Sequence, residues 1–96
     1  MVEPERFPYE WDLAKAASNL RKHGVSFVEA SSVFDDGLAL VIPDQAHSVG
    51  EERLIVIGMS RQGRILVVSH TERGDLIRII SAREAIREER KNYESR

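Results

Sequence analysis

The sequence predicts an α+β domain in which two N-terminal helices precede a four-stranded antiparallel sheet and a third helix closes the chain. Three observations predict it. Helix-start and helix-stop residues crowd the first third of the chain, the hydrophobic period becomes strand-like after Gly37, and the breaks between strand runs are too short for helical crossovers. Ninety-six residues allow one domain, 1–96, and one layered core.

The first helix starts at Asp12, an N-cap ahead of the good helix formers Leu13-Ala14-Lys15-Ala16-Ala17, and stops at Gly24 after Lys22-His23 in the last turn. Its expected apolar stripe is Leu13, Ala16, Ala17 and Leu20. A second helix starts at Ser26, whose spacing to Glu29 is that of a capping box, with Val25 placed to staple onto Ala30. Phe27, Ala30, Val33 and Phe34 form its buried side, and Asp35-Asp36-Gly37 ends it. The strand runs are Leu38–Ile42, Arg53–Met59, Arg64–His70 and Leu76–Ile80, and a short strand ahead of the first helix can join them. Ser81 and Glu84 have capping-box spacing for a third helix, whose apolar stripe of Ala82, Ala85, Ile86 and Tyr93 is thin enough to dock weakly or to await a partner.

The formal net charge of −2 conceals an asymmetry. Residues 1–48 hold 4 Lys/Arg against 8 Asp/Glu, whereas residues 49–96 hold 10 against 8. The basic half is rich in arginine, whose planar fork matches phosphate or carboxylate. Ser69-His70-Thr71-Glu72-Arg73-Gly74 and Leu76-Ile77-Arg78-Ile79-Ile80-Ser81-Ala82-Arg83 place a histidine and arginines inside strand-forming runs, where charge must be paired or must face an anion. If Arg73-Gly74-Asp75 is a three-residue loop, His70 pairs with Arg78, a match that a two-residue Gly74-Asp75 loop breaks. A two-residue Gln62-Gly63 turn sets Ile55 beside His70. Arg53, His70 and Arg78 then share one face, and Arg83 falls in the first turn of the third helix, opposed to its dipole unless an anion binds there.

Each candidate has a structural alternative. His70 can be a strand-end histidine held by Glu72 or a carbonyl, and Arg78 can pair with Glu72 or Glu84. Lys22 and His23 suit a helix C-terminus on dipole grounds alone. Trp11, next to a helix cap, reads as a core anchor rather than a base-stacking platform. With no cysteine and with His23, His47 and His70 far apart, no metal site is expected, and no nucleotide- or cofactor-binding motif is present. The N-terminal Met-Val-Glu-Pro-Glu-Arg has no signal pattern and no apolar run approaches about 18 residues, so a cytoplasmic chain that does not enter membranes is expected.

Tyr9-Glu10-Trp11-Asp12, Lys15, Asn19, Lys22-His23-Gly24-Val25, Phe27 and Glu29-Ala30 together resemble the N-terminal signature of the BrnT toxins, within the RelE-like superfamily of type II toxin–antitoxin ribonucleases. The resemblance continues through Phe34-Asp35-Asp36, Glu52-Arg53, Ile57-Gly58, His70-Thr71-Glu72-Arg73 and Ile77 to Arg83. Two positions depart from the family pattern: Tyr9, where Phe is more frequent, and Gly37, where Pro is common. The resemblance implies two helices packed on an antiparallel sheet in a RelE-like fold, cleavage of RNA without metal or other cofactor, and inhibition of translation. It also implies neutralisation by a cognate BrnA-like ribbon-helix-helix antitoxin, which rather than the toxin reads operator DNA.

Such cleavage requires a base for the 2′ proton and cations at the phosphate. The expected roles are His70 as acid or base, Arg53, Arg78 and Arg83 on the phosphate, and Lys22 or His23 binding RNA at the rim. The alternative is a non-catalytic module or degenerate toxin whose cationic face grips an antitoxin.

Overall fold

The computed structural model describes residues 8–95; the Met1–Arg6 stretch read above for targeting lies outside the described residues. Five strands form one mixed sheet in the order β1 (Tyr9–Glu10), β5 (Leu76–Glu84), β4 (Ile65–Arg73), β3 (Leu54–Met59), β2 (Leu40–Pro43). The expected four antiparallel strands are present. Their sheet is extended by β1, which lies parallel to β5 with Glu10 beside Arg78, so the fully antiparallel expectation is corrected. Helices α1 (Leu13–His23) and α2 (Phe27–Ser31), with a 3-10 turn at Ser32–Asp35, cover one face, and α3 (Arg87–Glu94) packs on the other. No helix among the described residues is long and apolar enough to cross a membrane.

Helix α1 has the predicted ends. Asp12 Oδ1 accepts from the Lys15 N–H at 2.9 Å, and Gly24, at φ 67°, donates its N–H to the Leu20 carbonyl at 2.9 Å. Its contact face differs from the predicted stripe, because Leu13 and Leu20 are 81% and 51% exposed while Ala16 and Asn19 point inward. The reason lies in the sheet. Strand β1 covers β5 only at Ile77 and Arg78, so the backbone edge further along β5 needs another partner. Asn19 supplies it: Nδ2 donates to the carbonyls of Ala82 (2.8 Å) and Val25 (3.0 Å), while Oδ1 accepts from the Ala82 N–H (3.1 Å). A side-chain amide thus completes a ladder that no strand reaches.

Helix α2 makes half of the predicted capping box. Ser26 Oγ accepts from the Glu29 N–H at 3.0 Å, but the Glu29 carboxylate turns inward instead of back. There it meets Arg64, whose Nε donates at 2.9 Å and whose Nη2 also bonds it, and the Ser60 hydroxyl at 2.8 Å. Arg64 Nη2 also donates to the Gly24 carbonyl at 3.0 Å, so one ion pair ties the α1–α2 corner to the start of β4. The main core joins Val25, Phe27, Ala30 and Val33 to Val56, Leu66, Val68, Ile79 and Ala82, each side chain contributing on the order of 1.5–3 kcal/mol when large and fully buried. Gly58 is required where β3 meets the 3-10 turn: a Cβ there would lie 3.1 Å from Ala39 Cβ and 3.2 Å from the Val33 carbonyl oxygen.

The third helix starts later than Ser81. The β4–β5 ladder runs on to Leu66 opposite Glu84, so its cooperative hydrogen bonding overrides the local capping signal and keeps Ser81, Ala82 and Arg83 in strand. Helix α3 starts after Ile86, whose N–H donates to Glu89 Oε1 at 2.9 Å. It docks on the sheet through Tyr93 and the neighbouring Ala85, against Ile57 and Val67. The Tyr93 hydroxyl donates to Asp36 Oδ2 at 2.6 Å.

Both hairpin turns differ by one residue from the lengths expected. Gly74-Asp75 is a two-residue loop between paired Arg73 and Leu76, with Gly74 at φ 60° in the first central position, as a II′ turn demands. Arg61-Gln62-Gly63 is a three-residue loop closed by the Ser60 N–H donating to the Arg64 carbonyl at 2.8 Å, with Gly63 at φ 83°. A one-residue slip turns every side chain to the opposite face.

Removing the Asn19 amide leaves three buried backbone groups without partners. Asn19→Ala is expected to lower the unfolding free energy by about 2–4 kcal/mol, read as a lower urea midpoint at unchanged slope. Glu29 gives a pH signature. The Arg64 hydrogen bond holds its carboxyl below the ordinary 4.5, outweighing burial, so the pair's stabilisation is complete above that value and is lost as pH falls through the depressed folded-state value. Urea midpoints of Glu29→Gln are therefore expected to be lower at neutral pH and to fall less steeply on acidification than those of the unsubstituted chain.

Candidate functional site

The observed register separates the residues expected together. His70 pairs with Leu54 on one side and Ile79 on the other, and faces the helices. It is 2% exposed, with its ring edge-on to Phe34 at 4.9 Å and 89°. Burial lowers its pKa, against weaker upward effects of the Val68 backbone and Glu72, and Nδ1 has no hydrogen-bond partner among the described residues. The neutral ring is a core group. The expected face shared by Arg53, His70 and Arg78 is therefore corrected: only the two arginines share it.

On that opposite face, Thr71 pairs with Arg78, and continuing the β3–β4 ladder one residue past Leu54 and His70 sets Arg53 on its other side. Across the sheet the row reads Glu10, Arg78, Thr71, Arg53, with Arg78 Nη1 3.6 Å from Glu10 Oε1. Strand spacing puts the Cα atoms of the two arginines about 10 Å apart, so their long side chains can meet over one ligand group. Arg73 lies two residues along β4 on the same face and grips Glu51 with Nε at 2.9 Å and Nη2 at 3.1 Å. The Arg73 hydrogen bonds hold the Glu51 carboxyl below its ordinary range, and the positive charges of Arg78 and Arg53 add to the effect. Arg73 thus holds this exposed carboxylate directly, while Arg78 and Arg53 act on it only through their charge.

Thr71 is 2% exposed and its Oγ1 has no hydrogen-bond partner among the described residues. The next row along the face holds Ser69 opposite Ser81, where a bulge at Ile80 breaks the β4–β5 register. Arg83 lies further along β5, opposite Val67, and both its Nη atoms bond Glu89 of α3 at 2.7 and 2.9 Å. Its expected place in a helix first turn is corrected by the extension of β5, which removes the conflict with the helix dipole. Lys22 and His23 lie elsewhere, in a shallow groove of about 200 Å³ with Lys15, Asn19, Ile80 and Ser81. Ser81 belongs to both the groove and the arginine face, so the two basic regions meet at the bulge.

Sequence reasoning missed Thr71, Arg73 and Glu51. The missing signal was the alternative turn: a two-residue Gly74-Asp75 loop puts Thr71 across from Arg78. Trp11 behaves as expected, half-buried against the core with its ring edge-on to Phe27 at 5.9 Å.

The hold of Arg73 on Glu51 is measurable. In a side-chain NMR titration the Glu51 midpoint is expected below the ordinary 4.5, and Arg73→Ala is expected to move it upward toward that value.

The sequence model of the family described as "Ribonuclease toxin, BrnT, of type II toxin-antitoxin system" matches residues 11–89. No curated protein matches the chain. The fold is similar to the 1.1 Å crystal structure of the Brucella abortus ribonuclease toxin BrnT, with 29% sequence identity and a TM-score of 0.63 over 80% of this chain and 94% of that one. A family match over most of the chain and a common fold together establish that the chain belongs to the BrnT family of ribonuclease toxins of type II toxin–antitoxin systems.

Proposed function

We propose that the chain cleaves RNA without a metal ion, by attack of a 2′-OH on the adjacent phosphorus, and thereby inhibits translation. The attack breaks the bond to the 5′ oxygen, which takes a proton from water, and leaves a cyclic phosphate and a free 5′-OH. The observation that carries this reading is the placement of Arg53, Arg78 and Arg73 on one sheet face around Thr71. A phosphodiester offers the same arginines a single negative charge on two terminal oxygens.

In this reading Arg53 and Arg78 neutralise the charge that grows on the nonbridging oxygens. With His70 facing the helices, the 2′ proton goes to a carboxylate of the arginine row, Glu10, which is loosely paired with Arg78 at 3.6 Å. Lys22 and His23, together with Lys15, bind a flanking phosphate in the groove beside Ser81. Arg83 joins them by exchanging Glu89 for RNA. The partner is a BrnA-like ribbon-helix-helix antitoxin, through which the complex reads operator DNA in the cytoplasm.

The test is cleavage of RNA by antitoxin-free protein in EDTA, with end-group analysis for cyclic phosphate. Arg53→Ala and Arg78→Ala are expected to lower kcat about 10²–10³-fold, and Glu10→Gln about 10²-fold, in proteins that stay folded. His70→Ala is expected to lower stability by about 3 kcal/mol through loss of a buried ring. Cleavage that requires added Mg²⁺ overturns the metal-independent mechanism. Absence of cleavage in either condition favours the non-catalytic reading, in which the arginines hold an acidic antitoxin side chain as Arg73 holds Glu51.

A further inference from the structure

We propose that the Thr71 hydroxyl is a phosphate-binding group, fixed on the sheet between Arg53 and Arg78 to donate a hydrogen bond to a nonbridging oxygen of the RNA backbone. The proposal rests on the reading of the arginine face as the RNA site and adds a ligand contact made from the sheet itself.

Two independent observations meet at this residue. The first is the orphan hydroxyl: Thr71 is 2% exposed and Oγ1 has no partner among the described residues. Buried side-chain hydroxyls are ordinarily satisfied, and valine would fill the same β-branched position without that unsatisfied group. The second is the character of its neighbours. On its own face Thr71 has Arg53 and Arg78 across the ladder, and Arg73 and Ser69 two residues away along β4. Guanidinium groups only donate hydrogen bonds, so the hydroxyl proton lacks an acceptor where three strong donors gather. A phosphate oxygen satisfies donors of both kinds at once.

Access requires the side chains over Thr71 to move: its neighbours on that face are the half-buried Arg53 and Arg78 and the exposed Arg73, long side chains that change rotamer without any change in the sheet. Glu51, the anion near them, is an exposed residue held through a surface ion pair with Arg73, an interaction of small net strength that a phosphodiester can replace. The Glu51 carboxylate holds Arg73 in the free protein. The orphaned hydroxyl marks where the substrate oxygen goes.

Thr71→Val and Thr71→Ser separate a ligand contact from a structural one. The measurements are thermal stability and the affinity for a mixed-sequence oligoribonucleotide carrying 2′-O-methyl at every position, which the protein cannot cleave. Thr71→Val is expected to be at least as stable as the unsubstituted chain and to bind this RNA about tenfold or more weakly, while Thr71→Ser binds within about twofold. Marked destabilisation of Thr71→Val overturns the proposal, because the hydroxyl then has a structural partner. Unchanged affinity of Thr71→Val overturns it as well, and leaves the nuclease reading intact if the unsubstituted chain still cleaves unmodified RNA. Loss of affinity in Thr71→Val, with no RNA cleavage by the unsubstituted chain, supports the phosphate contact and overturns the nuclease. Absence of binding by the unsubstituted chain overturns both.

Discussion

The register of the β4–β5 hairpin governs which side chains enter the core of this fold and which line its arginine face. Strand side chains alternate between faces, so the number of residues in the Gly74-Asp75 turn decides what faces the helices and what faces away. A two-residue turn pairs Thr71 with Arg78 and His70 with Ile79. The imidazole then falls among Phe34 and the core, where burial keeps it neutral, and the arginines fall on the other side. The bulge at Ile80 resets the alternation, so Ala82 still reaches the core and Ser81 the opposite face.

The two sheet faces are closed in different ways. Helices α1 and α2 seal one with a continuous apolar cluster, and polar groups attach them at two points, Asn19 at the β5 edge and Glu29 on Arg64. Neither attachment is a simple gain in stability. A buried carboxylate loses hydration that its pairing only offsets, but removing one partner would strand the other. Such groups fix geometry: the Asn19 amide accepts one alignment of α1 against β5. The opposite face is covered at one end by α3, through Tyr93 and the cluster around Ile57 and Val67, and carries the arginine row at the other.

That division explains how a chain with a net charge of −2 carries a concentrated cationic site. Arg64 is committed to the buried Glu29 as a structural tie, and Arg83 is neutralised by Glu89 in the free protein. Arg53, Arg73 and Arg78 gather near the surface carboxylate of Glu51, where ionic attraction is weak enough for ligand exchange. Net charge is a poor guide to such a site, because its local field depends on which cations are already neutralised.

Local signals, which need only a few neighbouring residues, are written in the amino-acid order. The Asp12 cap, the Gly24 stop, the Ser26 cap, the strand identities, the BrnT-family resemblance and the abundance of arginine in the second half were all legible in it. Tertiary structure decided everything that depended on a partner distant in the chain. Ser81 and Glu84 have capping spacing yet continue a strand, because the ladder to β4 offers each residue backbone partners that a helix start must find locally. Leu13 and Leu20 face outward because the uncovered β5 edge recruits Asn19. His70 and Thr71 exchange the roles that chemistry alone suggests, the histidine becoming core and the threonine joining the arginines. One residue of turn length, too small a difference for local propensity to resolve, decides the face of each.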